Sequence, residues 1–323
     1  MILRKTDSEV KMSFGKKLFW VAALALLSWN GASANEIRVV KNVVYGVGAI
    51  EIPVKASPDA NPSSKSDTVK SEINLLLDVY EPVGLTGKLP AVLVIHGGGW
   101  FGGDKADAYN TEVSRSLAAD GIVVFSVNYR LVPKARYPAQ LDDVQRAVRW
   151  VRAHSDEYGI DAKRMGATGD SAGGHLASLL GTRDTRDNSD EKLSTFSSKV
   201  KCVVDLYGPS DFMADKSTSK LPSFASSLVT NFFGIKREDA LELYREGSPI
   251  SHVDKSSAAF LIMHGDKDPL VPADQSSRLA DALKRAGVEV KMIVMLNDGH
   301  GFKRAENCAQ QKSETLAFFK RLL

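Results

Sequence analysis

The sequence predicts an α/β fold in which a mainly parallel, eight-stranded sheet carries helices on both faces. Three observations point there. Short continuous apolar runs recur along the chain, segments of helical periodicity separate them, and several runs end in glycine-rich turns. In such sheets ligands bind beyond the carboxyl ends of the strands, where these turns fall.

The strand candidates, in order, are residues 38–45, 74–80, 91–96, 122–127, 165–169, 200–206, 259–264 and 288–296. Leu141, Val144, Ala147, Val148 and Val151 repeat at helical spacing within 139–154, and further helices are expected from Ala172 to Leu180, over 275–286 and over 309–322. The polar stretch 56–70 predicts an exposed loop or hairpin between the first two strands. Two segments break the alternation: 182–199, highly charged, and 212–248, which carries Phe212, Phe224, Phe232 and Phe233. Both read as insertions, the second close to the site.

The chain has 323 residues, 43% hydrophobic and 25% charged, which is ordinary for a globular protein. Residues 1–34 read as a signal peptide. Lys16 and Lys17 precede a twelve-residue apolar run, 18–29, and Ala32-Ser33-Ala34 supplies the small-residue cleavage pattern. Twelve residues are too few to span a bilayer as a helix. Met12, just upstream of the basic pair, is the expected start, and the mature chain is expected to run from Asn35 as a single domain, 35–323, in the periplasm or the medium.

Of 42 basic and 39 acidic residues, the first 34 hold five and two, leaving 37 of each and no net charge. A nucleic-acid partner gains no support from that balance. No stable membrane insertion is expected after cleavage, and the sequence leaves the oligomeric state open. Cys202 and Cys308 have neither CxxC nor metal-ligand spacing. Their expected positions, toward opposite ends of the sheet, favour unpaired thiols.

Gly169-Asp170-Ser171-Ala172-Gly173 is a GxSxG sequence. Chance supplies that pattern in a chain this long roughly one time in ten, so context has to decide. An apolar strand precedes it and a helix follows, the arrangement that lifts a serine hydroxyl above a sheet edge and sets it at a helix N-terminus that favours negative charge. His96-Gly97-Gly98-Gly99-Trp100 follows strand 91–96 directly. An acyl-transfer enzyme needs preorganised N–H donors for the tetrahedral oxyanion, and a glycine run lets backbone approach the reacting carbonyl.

A serine nucleophile needs a base. Of six histidines, only His300 lies on a glycine-flanked loop after the last strand, in Asp298-Gly299-His300-Gly301-Phe302. His96 belongs to the glycine loop and is expected to brace backbone. The acid should lie between the serine and the histidine. Asp266 and Asp268, both after strand 259–264, remain alternatives at this point; Asp298 is too close in sequence to reach around the ring easily.

Together these motifs resemble the bacterial hormone-sensitive-lipase-like esterases, particularly the branch that includes acetyl-xylan and feruloyl esterases. The resemblance runs from about Asn74 onward. It rests on Asp78-Val79-Tyr80-Glu81-Pro82, HGGGW at 96–100, Asn128-Tyr129-Arg130-Leu131, Tyr137-Pro138-Ala139-Gln140 with Asp142-Asp143, and GDSAGG at 169–174. Tyr207-Gly208-Pro209-Ser210-Asp211, HGDKDPLVP at 264–272 and DGHGF at 298–302 complete it.

It implies the α/β-hydrolase fold with a triad of Ser171, Asp268 and His300, and with Gly98, Gly99 and Ala172 as oxyanion donors. Asp170 and the Asp142/Asp143 pair would be structural. No metal or organic cofactor is implied, and the expected partner is a small-molecule or polysaccharide-linked ester. The chain departs from classical members in its N-terminal region: 35–73 reads as strands and loop where they carry a helical cap. A reduced cap is therefore expected.

Overall fold

The computed structural model describes residues 36–53, 68–214 and 223–323. The expected signal segment 1–34 and most of the polar stretch 56–70 lie outside the described residues. Two long antiparallel strands come first, β1 (Ile37–Pro53) and β2 (Thr68–Pro82). Alternation follows through β3 (Leu89–Ile95), α1 (Ala108–Ala119), β4 (Val123–Val127), α2 (Ala139–Ala153), β5 (Ile160–Asp170), α3 (Ala172–Thr182) and β6 (Cys202–Leu206). Two helices, α4 (Ser223–Phe233) and α5 (Leu241–Glu246), precede β7 (Ala259–Gly265), α6 (Asp274–Arg285), β8 (Val290–Met295) and α7 (Ala305–Leu322).

The eight strands pair in the order β1-β2-β4-β3-β5-β6-β7-β8. β2 is antiparallel to both neighbours, and every other pairing is parallel. Successive side chains of a strand point to opposite faces, which divides the core in two. Leu93 and Ile95 join Leu141, Val148, Leu176 and Leu279 from α2, α3 and α6 on one face. Val92 and Val94 join Leu117, Phe318 and Phe319 from α1 and α7 on the other. Burial on both faces explains why the central strands read as unbroken apolar runs.

All eight strand candidates are present, with longer β1, β2 and β5 than expected. β2 already begins at Thr68, inside the stretch expected to be an exposed loop or hairpin. Helix α1 gave no sequence signal, because its inward face is Asn110, Val113, Ser114, Leu117 and Ala118. Two buried polar residues interrupt the apolar period there.

The segment 182–199 lies on α2. Arg186 pairs with Asp142 at 2.5 Å, and the Arg149 guanidinium donates to Leu193 O, Asp187 O and Asn188 Oδ1. From the described part of segment 212–248, Phe232 stacks on Trp100 of the glycine loop at 4.2 Å, and Phe233 stacks within the segment on Tyr244 at 4.0 Å. Cys202 is buried and Cys308 half-buried, both as free thiols. Among the described residues, no helix is long and apolar enough to cross a membrane.

Candidate active site

Four strand-end turns meet above the sheet. At the end of β5, Ser171 takes φ 53° and ψ −116°, a left-handed conformation that costs a side chain about 1–3 kcal/mol. The surroundings hold it there. Its amide donates to Leu206 O on β6 at 2.8 Å, and the His175 amide caps its carbonyl at 3.0 Å. Helix α3 runs so close to β3 that a Cβ on Gly173 would stand 2.0 Å from Ile95 O. Only glycine permits that approach.

His300, on the loop after β8, brings Nε2 to 2.9 Å from Ser171 Oγ and Nδ1 to 2.7 Å from Asp268 Oδ2. A carboxylate at Nδ1 places the ring proton there, so the Nε2 lone pair accepts from the serine hydroxyl. The ring lies against Tyr207, centroids 4.6 Å apart. Asp268 is fixed independently of the imidazole: Oδ1 accepts from the Leu270 and Val271 amides at 2.8 and 2.9 Å. Burial alone would raise its pKa, but hydrogen bonds from His264, His300 and the Val271 amide hold it well below the usual carboxylate range.

His264 Nε2 donates to Val271 O at 2.9 Å and stands 3.2 Å from Asp268 Oδ2, while its Nδ1 accepts from Ser276 Oγ at 2.6 Å. It therefore braces the same carboxylate oxygen that His300 meets.

The glycine loop approaches from β3. Gly98 and Gly99 take φ of 103° and 60°, and the Gly98 carbonyl accepts from the Phe101 and Gly102 amides. Ala172 is the first residue of α3, where an amide has no intrahelical acceptor. Gly98, Gly99 and Ala172 line one cavity together with Ser171 and His300.

Polar side chains pin this loop at several points. Gly97 N donates to Asp170 Oδ1 at 2.9 Å, and burial pushes the Asp170 pKa up to about 6 against that bond. His96 stacks on Tyr129 at 4.3 Å, and Tyr129 Oη donates to His96 O at 3.0 Å. Trp100 Nε1 donates to His175 Nδ1 at 3.3 Å, and His175 Nε2 donates onward to Gly247 O at 2.8 Å. Burial lowers the His175 pKa to about 4, so it serves as a neutral link from loop to insertion. Beyond the glycines, the buried Lys105 ammonium meets the buried Asp78 carboxylate of β2 at 3.0 Å.

The cavity measures about 680 Å³. Its far wall is α4, with Phe224, Ala225, Leu228 and Val229 beside Ser227 and Asn231, and Pro209, Leu270 and Val271 line other parts. Leu228 Cδ1 would lie 3.2 Å from a Cβ on Gly99, so this side chain sits directly over the loop.

Ser171, Asp268 and His300 lie in one line of hydrogen bonds. Asp266 instead faces Lys267 at 3.6 Å. Asp298 is occupied by the amides of Gly299, Lys303 and Arg304 and by Asn307 Nδ2. Asp143 holds Arg130 through both oxygens, and Arg130 reaches Ala49 O on β1. His264, Lys105 and Leu228 were not singled out as contributors. The first two lie inside or beside motifs, which was the available signal; Leu228 lies in a segment with no motif. Among the described residues no group of three or more His, Cys, Asp or Glu is arranged to hold a metal.

Comparison with known proteins identifies the family. The BD-FAE family model matches residues 77–283, more than half of the chain. The chain belongs to the BD-FAE family.

Esterase LipC of Mycobacterium tuberculosis is 32% identical to this BD-FAE chain over 230 residues, covering 70% of the chain and 57% of LipC. The chain spans about half the length of the curated relatives it matches. Among solved structures, a truncated carbohydrate esterase from gut microbiota superposes with a TM-score of 0.71 at 28% identity, covering 88% of this chain and 96% of that one. An acetyl ester-xyloside bifunctional hydrolase from Caldicellulosiruptor lactoaceticus gives 0.66 at 25% identity, covering 84% and 95%. The sheet of this BD-FAE member is that of the α/β-hydrolase esterases.

Proposed function

We propose that the protein is an exported serine carboxylesterase acting on short-chain or carbohydrate-linked esters through an acyl-enzyme. The observation that carries the reading is the line Ser171 Oγ, His300, Asp268, opening into a cavity edged by Gly98, Gly99 and Ala172. Ser171 Oγ attacks the ester carbonyl carbon while its proton passes to His300 Nε2. The carbonyl oxygen, now an anion, is stabilised by the amides of the glycine loop and Ala172. As the C–O bond breaks, His300 returns the proton to the departing alcohol, and Asp268 stabilises the imidazolium throughout. Water then attacks the acyl-enzyme by the same proton route, releasing the acid and restoring the Ser171 hydroxyl.

Export rests on the basic, apolar and small-residue pattern of residues 1–34. The carbohydrate-linked substrate draws support from the names of the structural neighbours. A cavity of about 680 Å³ also leaves room for acyl groups larger than acetyl.

Purified Ser171→Ala is expected to lose about 10⁶-fold in kcat on p-nitrophenyl acetate and to lose labelling by a fluorophosphonate. Hydrolysis at the wild-type rate would sink the mechanism. A panel of acetylated xylan, methyl ferulate and p-nitrophenyl esters of graded length then identifies the ester.

A further inference from the structure

We propose that a second groove, beside the glycine loop, binds sugar units of a glycan substrate as a continuation of the reactive cavity. This rests on the carbohydrate-ester reading above. The groove, about 410 Å³, lies between the β1–β2 hairpin and the loop 128–134. Phe101 lines both it and the reactive cavity, with 44% of its surface exposed.

The two sides of Phe101 differ in chemistry. Toward Ser171 the lining is mainly apolar, as an acyl group requires. Toward the hairpin, apolar side chains such as Ile73, Leu131 and Pro133 still form much of the wall, but Asn74, Asp104, Asn128 and Lys134 join them and make it the more polar side. A sugar ring carries hydroxyls around its edge and C–H bonds on its faces. An aromatic side chain flanked by amides, a carboxylate and an ammonium is the matching surface: apolar contact for the face, directional donors and acceptors for the edge.

Two of these polar groups are already set in place. Asn128 Nδ2 donates to Asp104 Oδ2 at 2.7 Å, Lys105 N to Asn128 Oδ1 at 2.6 Å and Ala106 N to Asp104 Oδ1 at 2.8 Å. Their oxygens keep further lone pairs for hydroxyl donors, and little ordering remains to be done on binding. Asn74 and Lys134 are exposed. A glycan whose esterified sugar sits at Ser171 therefore has a route for its neighbouring sugars, over Phe101 and into the groove.

The test compares p-nitrophenyl acetate with acetylated xylo-oligosaccharides in two variants. One is Asn74→Ala with Lys134→Ala; the other is Ile73→Trp, which fills the groove from β2. In both, kcat/KM on the oligosaccharides is expected to fall about tenfold or more, mainly through KM. Activity on p-nitrophenyl acetate stays at the wild-type level, which also shows that the variants fold. An equal fall on both substrates, or no fall on the oligosaccharides, overturns the subsite. Wild-type enzyme that cleaves p-nitrophenyl acetate and no acetylated oligosaccharide overturns the carbohydrate-ester reading and the subsite with it. Wild-type enzyme that cleaves the oligosaccharides no faster than the variants overturns the subsite alone.

Discussion

The two walls of the reactive cavity are built on opposite principles. The strand-end wall, carrying Ser171, the glycine loop, Asp268 and His300, is cross-linked by buried polar contacts. Asp170 holds Gly97, Tyr129 holds His96, His264 holds Asp268, and Lys105 meets Asp78. The α4 wall meets the cavity mainly through Phe224, Ala225, Leu228 and Val229. Acyl transfer needs donors and acceptors placed to a fraction of an ångström, which directional bonds supply. Choosing an acyl group needs only shape and apolar area, which non-directional packing supplies. On the proposed acyl transfer, chemistry and selectivity are thus separable, and variants on each wall should fail differently.

The largest effect belongs to the relay. Asp268→Asn leaves the His300 ring without the acceptor that fixes its tautomer, and kcat should fall about 10⁴-fold with little change in KM. Asp266→Asn, which alters a residue facing Lys267, should leave both constants near wild type. Steady-state kinetics on p-nitrophenyl acetate decides between the two carboxylates, and equal losses would remove the distinction drawn here.

Next comes the buried ion pair behind the glycine loop. Lys105→Met strands the Asp78 carboxylate, itself fully buried, and should cost about 3–5 kcal/mol of stability in urea unfolding. Asp78→Leu combined with Lys105→Met should recover part of that loss, because a buried pair is dearer to break than to replace. If the single variant unfolds at the wild-type midpoint, the pair does not anchor the loop.

Both residues were within view of the sequence: Asp78 opens a motif, and Lys105 follows the glycine loop. What sequence could not show is that they meet, since the contact joins β2 to a loop after β3. The central strands were legible for a simple reason. Burial on both faces makes them apolar throughout, whatever their neighbours. The outer part of β1 was not, because one side is solvated and the pattern is broken by glycines, and the outer part of β2 was not, because residues 68–74 are largely exposed on both faces. Gly46 and Gly48 sit where a Cβ would come within 2.5 and 2.7 Å of the Arg146 and Arg130 side chains crossing the sheet. The serine, the histidine and the glycine loop were legible because the turns that hold them demand particular residues. The choice of Asp268 over Asp266 was decided by family resemblance, since both aspartates follow the same strand. The α4 wall was the least legible element. Apolar packing leaves many residues acceptable at each position, so no motif marks it.

A third variant tests that wall directly. Leu228→Ala removes the side chain over Gly99 and should raise kcat/KM for octanoate relative to acetate by about tenfold, the scale of a few methylenes in an apolar pocket. The comparison to make is the ratio across p-nitrophenyl esters, with the acetate rate itself largely kept. An unchanged ratio would mean that the acyl chain lies along another part of the cavity.

The smallest effect separates the walls by pH. Asp298 accepts several hydrogen bonds that organise the loop carrying His300, and it is nearly buried. Burial would raise its pKa, but the Lys303 and Arg304 amides, Asn307 and the Gly299 amide bring it from 3.8 down to about 2. A carboxylate whose folded pKa is depressed stabilises fully above its unfolded value, and that contribution disappears as pH falls through the folded one. Asp298→Asn should therefore lower stability at pH 7 by on the order of 1 kcal/mol, or about 2–4 °C in Tm. The gap from wild type should close between pH 3.8 and about 2. Asp170 and Asp205, raised by burial to about 6, work in the opposite sense: their contribution is present below the unfolded value and lost as pH rises through 6. Both are common to the two proteins and cancel in the difference. Leu228→Ala supplies the contrast, since an apolar deficit carries no proton and should keep the same Tm gap across that range. A gap for Asp298→Asn that is equally flat would show that its loop is held by packing, as the α4 wall is, and the division between the walls would fall at that point.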